Sequence, residues 1–296
     1  MPKIAEALKM FNPELWGQVE RFKHFYEHTY SLESRDKRAV AGVGNHFRKA
    51  RTLADLAIKL RPNLQIDRNQ LETLGFTPAA NSEEIATVIE ASILELYATL
   101  DCVVKVLRAI YGKTSRGFKD STRTTLENPE KIEGSFPDPV KTAIAGATWT
   151  KRLLHLRDEL THLATGHVHM DHQTSEVRYD HHGLKEGDNI LSIPDIYVWL
   201  EEEIELVNAL TGVIFHHLNA TLANRESFES CGMAQGKFLW RYVSPVGDLT
   251  FDSGRCGAWI WFEKPGETPC PFIPMCGAYQ RKAPPGTPQV GPVIEP

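Results

Sequence analysis

The run Leu156-Arg157-Asp158-Glu159-Leu160-Thr161-His162 puts a permanent cation, a carboxylate and an imidazole within two helical turns. A guanidinium can bind a phosphate bidentately, and an imidazole can move a proton near neutral pH. A carboxylate four residues before a histidine can fix its tautomer. The spacing by itself carries little: with 17 Arg and 12 His in 296 residues, an Arg followed five positions later by a His is expected about 0.7 times by chance. Its meaning has to come from the elements that position it.

Two other sets of residues could do chemistry. Seven of the twelve histidines lie between 155 and 182: His155, His162, His167, His169, His172, His181 and His182. In a strand His167 and His169 share a face, a spacing that metal ligands use, and Asp171 or Asp180 could complete a metallohydrolase site. A polar hairpin beside a helix end is the simpler reading. The second set is Cys231, Cys256, Cys270 and Cys276. Cys270 and Cys276 lie further apart than zinc-knuckle pairs, and Cys231 and Cys256 form no local pair. This spacing favours independent buried thiols over a zinc site, so neither metal nor cofactor is expected. The aromatics Trp240, Tyr242, Trp259, Trp261 and Phe262 have strand-like spacing, which favours core packing over base stacking.

Apolar periodicity locates the supporting elements. Trp16, Val19, Phe22 and Phe25 recur at helical spacing, and a second helix spans Lys37 to Leu60 before Arg61-Pro62. Its polar side carries Arg48, Lys49 and Arg51, read as a solvated face. Ser82-Glu83-Glu84 reads as a helix start with a capping hydroxyl. From there Ile85, Ile89, Ile93, Leu96, Leu100, Val103, Leu107 and Ile110 mark one apolar stripe, ended by Gly112. Residues 113–137 read as a polar connection. Asp138-Pro139 opens the next helix, whose Trp149, Leu153, Leu156, Leu160 and Leu163 form the stripe beside the Arg-Asp-His set, with Gly166 as terminator.

Beyond this the period changes to that of strands. His167 to Asp171 and Glu176 to Asp180 predict a hairpin, and Ser192-Ile193-Pro194-Asp195 opens a helix over about 195–223. Phe238 to Val243, Leu249-Thr250-Phe251 and Ala258 to Phe262 are strand-like. The expected fold is mainly α, with a helical region over 1–70 and a bundle over 82–223 that carries a hairpin at 167–182. A small β appendage follows over 228–282, and the Ala-Pro-Pro-Gly-Thr-Pro stretch predicts a disordered tail over 283–296.

On a helix His155, Asp158 and His162 share one stripe, whereas Arg157 lies about 140° of rotation from His162. The order of elements (a long helix, a polar connection, a helix ending in Arg-Asp-x-x-x-His, a later closing helix) resembles the HEPN superfamily, the higher eukaryote and prokaryote nucleotide-binding domains. The resemblance covers about half of the chain and rests on Arg157, Asp158 and His162. It implies a helical bundle and metal-independent RNA cleavage in a cleft between two protomers. His162 would assist attack by the ribose 2′-hydroxyl, Arg157 would stabilise the phosphorane-like charge, and Asp158 would orient both. Toxin or antiphage activity, with an antitoxin or defence partner, belongs to the same expectation. The alternative is a non-catalytic HEPN-like dimerisation or interaction protein. Two departures from the pattern matter. Ala164 stands where members silenced by a nucleotidyltransferase carry Tyr. Asp158 replaces the frequent Asn and would repel RNA unless paired with His162 or Arg157.

Composition sets outer bounds. A net charge of −5 excludes binding of nucleic acid through an overall basic field and requires a local patch. No apolar run approaches a membrane span, the N-terminus lacks a signal-peptide core, and five cysteines suit a reducing, cytoplasmic setting.

Overall fold

The computed structural model describes residues 7–119, 121–171, 174–247 and 249–283. In chain order these form β1 (Ala7–Lys9), α1 (Gln18–Phe25), α2 (Ser34–Leu60), α3 (Leu64–Leu74) and α4 (Ala80–Tyr111). Next come β2 (Ser115–Arg116), α5 (Thr122–Glu127), β3 (Glu133–Gly134), α6 (Asp138–Gly146) and α7 (Thr150–His162). The remainder is β4 (His167–Met170), β5 (Val177–Glu186), β6 (Asn189–Ile193), α8 (Ile196–Ala220), β7 (Ser227–Ala234), β8 (Lys237–Val243), β9 (Arg255–Cys256) and α9 (Trp259–Phe262). The chain is mainly α, with its strands in small sheets. No helix among the described residues is long and apolar enough to cross a membrane.

The chain divides into two compact units, residues 32–217 and the pairing of 1–31 with 218–296. The division therefore differs from the expected segments: the first 31 residues group with the C-terminal β region, because β1 pairs antiparallel with β7.

Within 32–217 the core is the antiparallel pairing of α2 along α4. Ala39, Val43, Ala50, Ala54 and Ala57 face it from α2, so the backbones approach closely. A Cβ on Gly42 would stand 2.7 Å from the Cys102 sulfur, and the Ser92 hydroxyl donates to the Ala50 carbonyl at 2.9 Å. Along α4, Ile85, Ile89, Ile93, Leu96, Leu100, Val103 and Leu107 are buried, as the stripe requires. Strands β4, β5 and β6 form an antiparallel sheet; β6 joins the predicted hairpin as a third strand.

Several local expectations are corrected. Ser82 does not cap α4. The helix begins two residues earlier, and its Asn81 and Ser82 N–H groups donate to buried Asp67 of α3, as do the Asn81 amide and Ser82 hydroxyl. Burial alone would raise the Asp67 pKa, yet these hydrogen bonds hold it below the usual carboxylate range. Residues 113–137 contain a short helix, α5, capped by the Ser121 hydroxyl, which accepts from Thr124 N–H at 3.2 Å. The single helix expected after Asp138 is two helices separated at Ala147–Trp149, and Asp138 makes no side-chain cap. At the other end α7 stops at His162 rather than at Gly166, leaving Leu163 78% exposed and outside the apolar stripe.

In the other unit β1, β7, β8 and β9 form one sheet in that order. The β7–β8 loop is Gln235-Gly236, both at positive φ, as a two-residue hairpin of matching twist demands. Trp259 to Phe262 form a short helix, and Leu249 to Phe251 lie outside any strand, against expectation. Residues 284–296, most of the expected tail, fall outside the described residues, as does His172.

Helix α8 begins where the Ser192–Asp195 run places it, and Asp195 caps it, accepting from Tyr197 and Val198 N–H. About two turns further, Glu203 is 4% exposed and its Oε2 has no hydrogen-bond partner. Burial pushes its pKa up to about 7, with Arg152 opposing and Glu202 adding to the rise. A carboxyl whose pKa is raised by folding contributes its stability below the ordinary value, and that stability is lost as pH rises through the folded value. Replacing Glu203→Gln should therefore leave the melting temperature nearly unchanged at pH 5 and raise it at pH 8. The gain should be on the order of 3 kcal/mol at most. Thermal melts of both proteins across this range check it, and a pH-independent difference would refute it.

Candidate functional site

Helix α7 presents its last two turns to the middle of α4. Leu153, Leu154 and Leu156 are buried, which fixes the rotation of the helix and leaves Arg157 and Asp158 at the margin, 34% and 32% exposed. The Arg157 guanidinium lies 4.9 Å from the centroid of the Tyr97 ring on α4, and its Nη1 donates to Asp158 Oδ1 at 2.8 Å. Asp158 Oδ2 accepts from Nη2 of Arg123 on α5. The carboxylate thus bridges two guanidiniums from two helices, and Arg123 also pairs with Glu127 one turn on, at 3.9 Å.

Arg123 was not singled out in the sequence because the residues around it read as loop. Its helix is fastened to α4: the Thr122 hydroxyl donates to Asp101 Oδ1 at 2.5 Å, and Lys105 donates to Oδ2 of the same carboxylate at 2.5 Å. Tyr97, Asp101 and Lys105 stand one turn apart along α4, so one face of that helix sets the places of both arginines. Burial pushes the Tyr97 phenol pKa up, with Arg157 opposing.

His162 is the final residue of α7, is exposed, and has no hydrogen-bond, ion-pair or ring partner among the described residues. Asp158 does not pair with it. The structure therefore brings Arg157 and Asp158 together, adds Arg123 and Tyr97, and leaves the imidazole separate at the helix end.

The chain just past His162 is held by buried polar groups. Glu90 of α4, 8% exposed, accepts from Gly166 N–H at 2.6 Å and from the Tyr179 hydroxyl at 2.9 Å. His181 Nε2 lies 3.0 Å from the Ala164 carbonyl, and its Nδ1 is buried without a partner. Gly166 is required here, since a Cβ would fall 2.3 Å from the Tyr179 ring. Burial raises the Glu90 pKa, against the hydrogen bonds from Gly166 and Tyr179 and the nearby His181 and His167. Burial likewise raises that of Tyr179, helped by the Glu90 charge.

On the outer face of the sheet His167 and His182 rings stand 5.9 Å apart, and His169 Nδ1 is 3.5 Å from Asp180 Oδ2. The basic set of α2 is engaged: Arg48 with Asn45, Lys49 with Glu95, and Arg51 with Glu201 and Glu205. In the β unit Cys231, Cys256, Cys270 and Cys276 are all free thiols and line one small cavity. Among the described residues, no three His, Cys, Asp or Glu side chains are placed so that they could hold a metal ion.

No family model, curated protein or solved structure matches the chain. What the site can do is argued from its own geometry: a pair of guanidiniums sharing Asp158, with Glu127 beside Arg123, and an imidazole open to solvent one and a half turns away.

The Glu90 tie has a measurable consequence. Glu90→Ala strands the buried Gly166 N–H and Tyr179 hydroxyl and should cost about 2–4 kcal/mol, whereas Tyr179→Phe should cost about 1. Urea denaturation of both singles and the double variant should show clear non-additivity, since the groups share one interaction. Strict additivity would mean that the carboxylate and the phenol act independently.

Proposed function

We propose that this chain is a metal-independent endoribonuclease of HEPN type that acts as a homodimer, in a toxin or antiphage-defence role. The observation that carries this reading is the convergence of Arg157 and Arg123 on Asp158, close before the exposed His162 on the same helix. The paired carboxylate meets the objection that an anion would repel RNA, because two cations offset it.

The chemistry follows from these groups. The His162 imidazole takes the proton of a ribose 2′-hydroxyl, and the 2′-oxygen attacks the adjacent phosphorus. Negative charge grows on the non-bridging oxygens, where the guanidiniums of Arg157 and Arg123 stabilise it. The 5′-oxygen leaves with a proton returned by an imidazolium, so the products are a 2′,3′-cyclic phosphate and a 5′-hydroxyl. Within one chain Arg157 and His162 are separated by about 140° around the helix and about 7.5 Å along it. A two-fold partner would bring a second copy of each group to the same phosphate, which supports the dimer as the working form. No step calls on a metal ion. An antitoxin or defence partner would act by covering this surface.

The test is cleavage of a defined single-stranded RNA by the purified protein in the presence of chelator. His162→Ala and Arg157→Ala should each lower the rate by about 100-fold or more with the fold retained. The cyclic phosphate should appear on the 5′ fragment. Equal behaviour of wild type and both variants would instead establish a non-catalytic dimerisation or interaction protein. Loss of activity with chelator would move the chemistry to the histidine-bearing sheet.

A further inference from the structure

The β unit holds an arginine in a place where arginines are seldom stable. Arg241 on β8 is 1% exposed. Its Nη1 donates to the carbonyls of Phe251 and Ser253, and its guanidinium lies 4.4 and 4.6 Å from the centroids of the Phe11 and Phe251 rings. Among the described residues it makes no ion pair, and its buried Nε has no partner. An enclosed cation without a counter-anion costs several kcal/mol, so a fold that keeps one calls for negative charge nearby.

Among the described residues no carboxylate pairs with the guanidinium, and beside the two carbonyls and two rings it meets a thiol. Arg241 Nη2 lies 3.3 Å from the Cys276 sulfur. Arg241 lines one cavity of about 10 Å³ together with Cys231, Cys256, Cys270 and Cys276, four of the five cysteines in the chain. Three backbone features deliver the sulfurs. Cys231 is the extra, unpaired residue of a bulge in β7, which re-aims its side chain. Cys256 sits directly across the ladder from Arg241. Cys270 and Cys276 flank the tight turn Ile273–Met275, where Ile273 N–H donates to the Cys270 carbonyl and Cys276 N–H to that of Ile273.

We propose that Cys231, Cys256, Cys270 and Cys276 bind one Zn²⁺ as a structural tetrathiolate site, with Arg241 as its buried counter-cation. On binding, each S–H gives its proton to solvent, four in all, and four S–Zn bonds form with no change of oxidation state. The resulting centre carries two net negative charges, and the guanidinium offsets one while its N–H groups donate to sulfur. Protonated thiols gain nothing by converging, and as they stand no three of them are placed to hold a metal ion, so binding requires the side chains to turn. Rotation about the single χ1 torsion of each cysteine is what carries a sulfur onto the ion. The cavity, about 10 Å³, has room for no more than one bare ion or one water, the scale of a closed structural site.

The experiment is metal analysis of the full chain purified under reducing conditions and supplied with Zn²⁺. About one Zn²⁺ per chain should remain after desalting, and Cys102→Ser, on α4, should keep it. The double variant Cys270→Ser with Cys276→Ser should lose it. Co²⁺ supplied to the wild type should give the intense visible spectrum of a tetrathiolate, a reading that needs no variant to fold. A wild-type chain that retains neither ion, or a double variant that retains zinc equally well, would overturn the proposal. RNA cleavage enters none of these measurements, so the outcome is separate from that of the ribonuclease reading.

Discussion

The buried carboxylate of Glu90 is the contact on which the 32–217 unit turns. It sits on α4, the central helix, and accepts hydrogen bonds from the turn after α7 and from the middle of β5. A helix, a turn and a sheet are joined through one carboxylate oxygen, Glu90 Oε1, that has little water to fall back on. That is why the hydrogen bonds must be kept: an unpaired buried acceptor costs more than the bond contributes when made. The end of α7, with Arg157, Asp158 and His162, is placed by this tie on one side and by the leucine face on the other. The strand character of 167–193 follows as well, since Tyr179 must point inward for its hydroxyl to reach α4.

Much of this was legible in the chain. The stripe from Ile85 to Ile110 declares α4 because about seven turns of apolar residues at helical spacing admit one reading, and the run Ser192 to Asp195 marks the start of α8. The hairpin at 167–180 follows from alternation. What escaped is local in cause. Residues 113–137 look like a loop because α5 is only six residues long and buries Thr122, Thr125 and Leu126 rather than an extended apolar stripe. Ser121 was the available signal, a hydroxyl three residues before the N–H it caps. The break between α6 and α7 was hidden because Leu153 and Leu156 continue the earlier period across it. Trp259 to Phe262 carry the residue types of a strand, yet short-range hydrogen bonds win there over propensity.

The candidate site was half legible for the same reason. Arg157, Asp158 and His162 are neighbours in sequence and could be found by inspection, whereas Arg123 is 35 residues from the carboxylate it binds. A long-range ion pair leaves no periodic trace. Its presence changes the role of Asp158: with two arginines to hold, it organises cations and does not orient the imidazole. Ser82 was misread in a related way. Its hydroxyl was credited with a cap that a buried aspartate from α3 performs, because a sequence shows a helix start but not which distant side chain satisfies it.

The two arginines at the centre of these readings differ in what surrounds them, and the difference is informative. Arg157 is partly in water, so its charge is cheap to hold and its pairing with Asp158 is a matter of position. Arg241 is sealed from water against aromatic faces and carbonyls, so its charge must be compensated from inside the fold. Under the two proposals the same residue type would serve a transient anion in one place and a permanent one in the other. Spacing along the chain argued against grouping Cys231 and Cys256 with Cys270 and Cys276, because a bulge and a cross-strand pair have no fixed sequence interval. Burial of an unpaired cation is the stronger criterion, since it reports the charge that a folded interior needs rather than the distance between residues in the chain.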